Sequence, residues 1–254
     1  MEGFFIWNGV DSREMGVVVT RYPPIVYPAE RVEQVTVPGR SGHLTRLQGP
    51  HVYDGYLLSV GIGNRKAADP RAVAAWLRGE GTLILGSEPD RVYFGRLVKE
   101  ASLDRAMRGV YSGTVAWMVQ PGKGQYPPEP DITVDGRHVE IYNPGDLPAQ
   151  PIYRITKGTG TNIQLFLGPI SRYSHVTVTL AGTSWEGAEE VTIDSDAMQV
   201  TTQGESGPES LNSVTKIYYN GAEGLWVPPH ETVEIDVVGD TQSAVTVTPR
   251  WRWL

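Results

Sequence analysis

The stretch QPGKGQYPPEP, Gln120 to Pro130, divides this chain. Its prolines lack a backbone donor and its glycines resist a fixed geometry, so it reads as a linker and not as an interior strand or helix. The 254 residues on its two sides suffice for two domains of ordinary size. We therefore expect domains at residues 1–128 and 129–254.

Charge changes at the same point. To Pro128 the chain carries 15 basic and 12 acidic residues, a net of +3; beyond it there are 7 and 17, a net of −10. A face that tracks nucleic-acid phosphates has to be basic. The second half cannot offer one and the first is only mildly basic.

Before the linker, one segment has helical signals. Asp69 precedes Pro70 as an N-cap before a first-turn proline, and Val73, Trp76 and Leu77 share one face. Gly79 and Gly81 end a helix of about 10 residues. The other apolar runs are short and β-branched, at 4–7, 17–19, 32–37, 56–62, 82–85, 92–98 and 110–119. Strands around one helix predict a sheet or barrel core with a single cover.

Beyond the linker, helix signals give way to short strands separated by turns, which predict an antiparallel β-sandwich. Ile132-Thr133-Val134, Asp135-Gly136 and Val139-Glu140-Ile141 read as an opening hairpin. The fold class expected is mainly β, with one helix in the first domain.

The sequence offers little for catalysis. With no cysteine there is no disulfide, thiol nucleophile or cysteine-bound metal. No apolar run nears the ~20 residues of a membrane helix, and Met1–Asp11 lacks the pattern of a signal peptide. His43, His51, His138, His175 and His230 show no metal-ligand spacing. There is no nucleophile elbow or P-loop, and Gly61-Ile62-Gly63 lacks the third glycine of a dinucleotide site. Asp194 and Asp196 read as a turn rather than a carboxylate pair. We expect no catalytic residue, metal or cofactor.

Aromatic residues remain. Trp185, next to Glu186, and Trp226 could stack on a sugar, which makes a carbohydrate-binding adhesion protein the alternative reading, although Trp more often fills a core or anchors an interface. Arg250-Trp251-Arg252-Trp253 alternates basic and aromatic residues. As a final strand it would turn both Trp to the sandwich and both Arg toward an acidic partner.

Several local patterns occur in a telling order. VPGRSG (Val37–Gly42) ends a strand; Ala74-Ala75-Trp76-Leu77 lies on the helix, followed by GTLIL (Gly81–Leu85) and SEPDRVYF (Ser87–Phe94). Tyr142-Asn143-Pro144-Gly145 then precedes Ala149-Gln150-Pro151-Ile152, and the sequence reaches TPRWRWL at Thr248–Leu254. Over nearly its whole length the chain resembles the distal tail proteins of long-tailed, non-contractile phages.

That resemblance implies a tail-tube-like first domain in a hexameric ring around a channel, and a galectin-like second domain. It implies a ring that joins the tail tube above to tail-tip and baseplate proteins below, possible contact with receptor-binding or side-fibre proteins, and passage of DNA without specific binding. Its place is the virion's distal tail after assembly in the host cytoplasm, with no membrane and no enzymatic activity. Kinship with galectins does not extend to sugar, because no HxNPR segment occurs. In such a ring the loop Pro38, Gly39, Arg40, Ser41 and Gly42 is the candidate subunit interface: Pro stops strand pairing, Gly permits unusual turns, and Arg40 can reach a neighbour.

Overall fold

The computed structural model describes residues 3–49, 52–64, 69–98, 102–107, 110–134, 138–156, 163–168, 174–179, 188–197, 199–204, 207–210, 216–219, 226–239 and 244–254. The chain forms two compact units, Met1–Pro127 with Trp253–Leu254, and Pro128–Arg252. It is mainly β, with one helix among the described residues, as the sequence predicts.

The first unit contains β1 (Phe5–Trp7), β2 (Val10–Asp11), β3 (Val17–Arg21), β4 (Val32–Thr36), β5 (His43–Leu47), β6 (Tyr56–Asn64), α1 (Pro70–Trp76), β7 (Glu80–Leu85), β8 (Glu88–Leu97), β9 (Ser102–Met107), β10 (Val110–Val119) and β11 (Gly124–Gln125). Its main sheet runs β2-β1-β7-β8-β10-β6-β3, with β9 added on β10 and β11 on β8. Neighbouring strands are antiparallel throughout.

Period-2 alternation decides which sheet face is covered. Leu58, Val60 and Ile62 of β6, Val115, Trp117 and Val119 of β10, and Leu83 and Leu85 of β7 all point into one core. Phe5, Trp7 and Trp117 form its aromatic centre. Phe5 stacks on Trp76 at 5.5 Å and meets Trp117 edge-on at 5.6 Å. Helix α1 caps this face through Val73 and Leu77. The Asp69 carboxylate accepts the Arg71 N–H at 3.0 Å, the bond expected of an N-cap. The helix has 7 residues, shorter than expected, because Gly79 at φ +91° turns the chain away directly after the cap.

The second unit contains β12 (Ile132–Val134), β13 (His138–Tyr142), β14 (Ile152–Thr156), β15 (Ile163–Gly168), β16 (Ser174–Thr179), β17 (Ala188–Asp194), β18 (Gln199–Gly204), β19 (Gly207–Ser210), β20 (Lys216–Tyr219), β21 (Thr232–Gly239) and β22 (Val245–Thr248). They make two antiparallel sheets, β12-β22-β14-β17-β18-β19 and β13-β21-β15-β16-β20. Tyr153, Ile155, Val191, Ile193, Val245 and Val247 are buried from the first sheet, and Ile141, Val233 and Ile235 from the second.

This topology corrects the expected hairpin. β12 and β13 do not pair; β12 joins β22 in one sheet and β13 joins β21 in the other. Alternation identifies a strand without naming its partner, and both partners here lie about a hundred residues further on. Asp135 and Gly136, the expected turn, lie outside the described residues.

Candidate assembly surfaces

The hairpin β4–β5 stands apart from the core. Among the described residues its strands pair only with each other, in the register Val32↔Leu47, Glu33↔Arg46, Gln34↔Thr45, Val35↔Leu44 and Thr36↔His43. Every one of these residues is exposed. The stem is held by Arg31 N–H to Val52 O (2.8 Å), Asp54 N–H to Ala29 O (2.9 Å) and an Arg31–Asp54 ion pair at 2.7 Å. Residues 29–49 and 52–54 thus form a projecting arm.

Its tip is the loop singled out in the sequence. The Arg40 N–H donates to Val37 O at 3.2 Å, and Gly39 and Gly42 take φ +79° and +82°. A side chain at either position would strain that left-handed backbone. Pro38, Gly39, Arg40, Ser41 and Gly42 are all exposed.

The arm is not amphipathic in the manner of a strand laid on its own core. Val32 and Leu47 lie on one face with Gln34, Thr36, His43 and Thr45; Val35 and Leu44 lie on the other with Glu33 and Arg46. Each face therefore carries one exposed aliphatic pair.

The main sheet has an open face opposite α1. A single row crosses four strands there, Glu80↔Arg96↔Met118↔Leu57. Glu80 and Arg96 form an exposed ion pair at 3.2 Å. Met118 and Leu57 are exposed, and so is Phe94, two residues from Arg96 on the same strand face. Exposed aliphatic and aromatic side chains grouped on one sheet face mark a docking surface more than isolated ones do.

The residues of the expected basic and aromatic partner face differ in exposure. Trp251 is buried at 6% exposure, whereas Trp226 is 39% exposed. Trp185 lies outside the described residues. Arg250 donates both guanidinium arms to Asp194 at 2.9 and 3.1 Å, and Arg252 donates to Asp196 at 3.1 Å. The acidic counterpart of the two arginines is thus within the chain. Arg250 takes φ +55°, and Trp253 pairs with Lys123 in the first unit, N–H to O at 2.9 Å and 2.7 Å. The Arg91 guanidinium lies 4.2 Å above the Trp253 ring.

Asp194 and Asp196 do make the expected turn: Asp194 Oδ1 accepts the Asp196 and Ala197 N–H groups at 3.0 and 3.1 Å. Partial burial pushes the Asp194 pKa up. The hydrogen bonds from Arg250 and Ala197, the Arg250 charge and the Asp196 N–H outweigh it, and the pKa falls below the usual value.

Two arrangements escape a reading of local spacing. Asn143 is fully buried; its Nδ2 donates to Leu147 O at 3.1 Å and Val227 O at 2.9 Å, and its Oδ1 accepts the Gly145 N–H at 2.9 Å. Local spacing around Asn143 does not predict this arrangement, because Val227 is distant in sequence. Likewise, His138 and Glu140 of β13 meet Glu234 of β21, with one possible ligand atom from each lying within 4.8 Å of the others. The histidine spacing gave no sign of this, since the third group arrives from the pairing Glu140↔Glu234.

Fold comparison follows from this architecture. No protein-family model and no curated protein matches the chain in sequence. Among solved structures, it is similar to SPP1 Dit (gp 19.1), described as a paradigm of hub adsorption apparatus in Gram-positive infecting phages, with a TM-score of 0.69 at 15% identity over 99% of both chains. It is also similar to a chain of the phage p2 baseplate in its activated conformation, solved with Sr and with Ca, at a TM-score of 0.53 and 8% identity over 97% of both chains. The fold is therefore that of phage hub and baseplate components, and it extends over both units.

Proposed function

We propose that this chain is the structural hub of a long non-contractile phage tail tip. Copies form a hexameric ring that joins the tail tube to the tail-tip and baseplate proteins, and DNA passes through the ring. The observation that carries this reading is the two-way 99% coverage against SPP1 Dit, which leaves neither unit without a counterpart. In this reading the first unit builds the ring, the second projects a β-sandwich, and the assembly is part of the virion and not an enzyme.

The arm supports a role in assembly. A two-stranded hairpin alone is marginal in water, so an arm with exposed aliphatic pairs on both faces needs cover from outside its own unit. Its tip is a subunit clamp, with Arg40 reaching a carboxylate or carbonyl of the neighbour.

Mass photometry and negative-stain imaging test the hub directly, with a six-fold ring expected. Monomer at all concentrations overturns the proposal. Arg40→Ala should raise the concentration needed for half-assembly severalfold while monomer melting stays unchanged; rings as stable as the parent's would remove the clamp.

A further inference from the structure

We infer that His138, Glu140 and Glu234 form a site for one divalent cation of the zinc class, on the outward sheet face of the second unit. The inference stands apart from the hub reading.

The strands build the site. Period-2 alternation puts His138 and Glu140 on one face of β13, with Ile141 on the other. Ile141 is buried, as are Val233 and Ile235 of β21, so Glu234 shares the outward face with the first two. The register sets Glu140 directly opposite Glu234, with His138 two residues along β13. β21 is held in turn by β15 on its other side. The three side chains therefore stand on paired backbone and not on a loop.

One possible ligand atom from each lies within 4.8 Å of the others. Ligands about 2.1 Å from a tetrahedral ion stand about 3.4 Å apart. His138 and Glu140 are exposed and Glu234 half-buried, so side-chain rotation closes the difference without moving a strand.

The charges ask for a cation. Carboxylates directly opposite one another on paired strands repel. Among the described residues no Lys or Arg forms an ion pair with Glu140 or Glu234. An ion between them turns the repulsion into attraction, and the imidazole selects which ion. One nitrogen and two carboxylate donors suit Zn2+ and Co2+, with water at the open position. Ca2+ takes about six to eight oxygens, more than this set offers. Among the described residues β13 ends its sheet, with β21 its sole partner strand. The ion thus ties an edge strand to its neighbour.

The test uses the untagged full-length chain, stripped with a chelator and dialysed against ZnCl2 in excess MgCl2 and CaCl2. One zinc per chain is expected, with a melting temperature that rises with zinc concentration. His138→Ala, Glu140→Gln and Glu234→Gln should each weaken binding by about tenfold or more and cancel that rise. Glu140→Gln relieves the repulsion, so its metal-free melting should equal or exceed the parent's. His43→Ala and His230→Ala should bind as the parent does. CoCl2 in place of zinc should give visible absorption bands that His138→Ala abolishes. Failure of the parent to bind zinc stoichiometrically, parental affinity in Glu140→Gln, or an equal loss in His43→Ala or His230→Ala overturns the site.

Discussion

Asn143 shows how much a single buried amide can organise. Three backbone groups depend on it, two from its own loop, at Gly145 and Leu147, and one from distant Val227. Asn143→Ala removes every partner at once and leaves the groups inside without water. We expect a loss of about 2–4 kcal/mol, read as a lower urea midpoint. Next to it, a Cβ on Gly145 would stand 2.3 Å from Arg252 O. That neighbour is backbone and cannot swing aside, so Gly145→Ala should lower the melting temperature and loosen the 250–252 segment. Asp194 sets a pH dependence. Its folded pKa is depressed, so its contribution is present above the unfolded value of about 3.9 and is lost as pH falls through the folded one. The stability gap between parent and Asp194→Asn should thus be widest at neutral pH and close below about pH 4. A gap that stayed constant to pH 2 would show that Arg250 gains nothing from the charge.

Among the elements, α1 is the one whose start the sequence specifies most fully. Its cap, first-turn proline and apolar face are all local features, which is why Asp69, Pro70, Val73 and Leu77 were legible without a structure. Asp69→Ala should cost about 0.5–2 kcal/mol, with the denaturant midpoint lowered and its slope unchanged. Strands of the first sheet were legible for the same reason, by composition and alternation. Pairing was not. β12 and β13 alternate as a hairpin should, yet their partners come from the far end of the chain. β5 was also missed, because His43-Leu44-Thr45-Arg46-Leu47 has neither a buried face nor a β-branched run. The exposed pattern that hid it as a strand is what marks it as an arm. For the candidate sites, the loop at Pro38–Gly42 could be named from turn chemistry. The open-face row could not, since it draws one residue from each of four strands and exists only once their register is fixed.

At the level of the molecule, the hub reading constrains the channel. DNA that must leave has to slide, and a continuous Lys/Arg lining would hold its phosphates in a salt-dependent grip. A lumen without such a lining is expected in an imaged ring; a strongly positive lumen would contradict passage by sliding. Trp253 and Leu254 add a different consequence. The chain leaves the first unit after Pro127 and returns to it after Arg252, so the second unit is topologically a guest inserted in its host. Severing the peptide between Pro127 and Pro128 would leave one fragment carrying the guest together with the host's closing dipeptide. The pair Lys123–Trp253 could then rejoin the pieces without a covalent bond. Fragments 1–127 and 128–254, produced together, should therefore co-purify as a split protein, and Trp253→Ala should weaken that complementation.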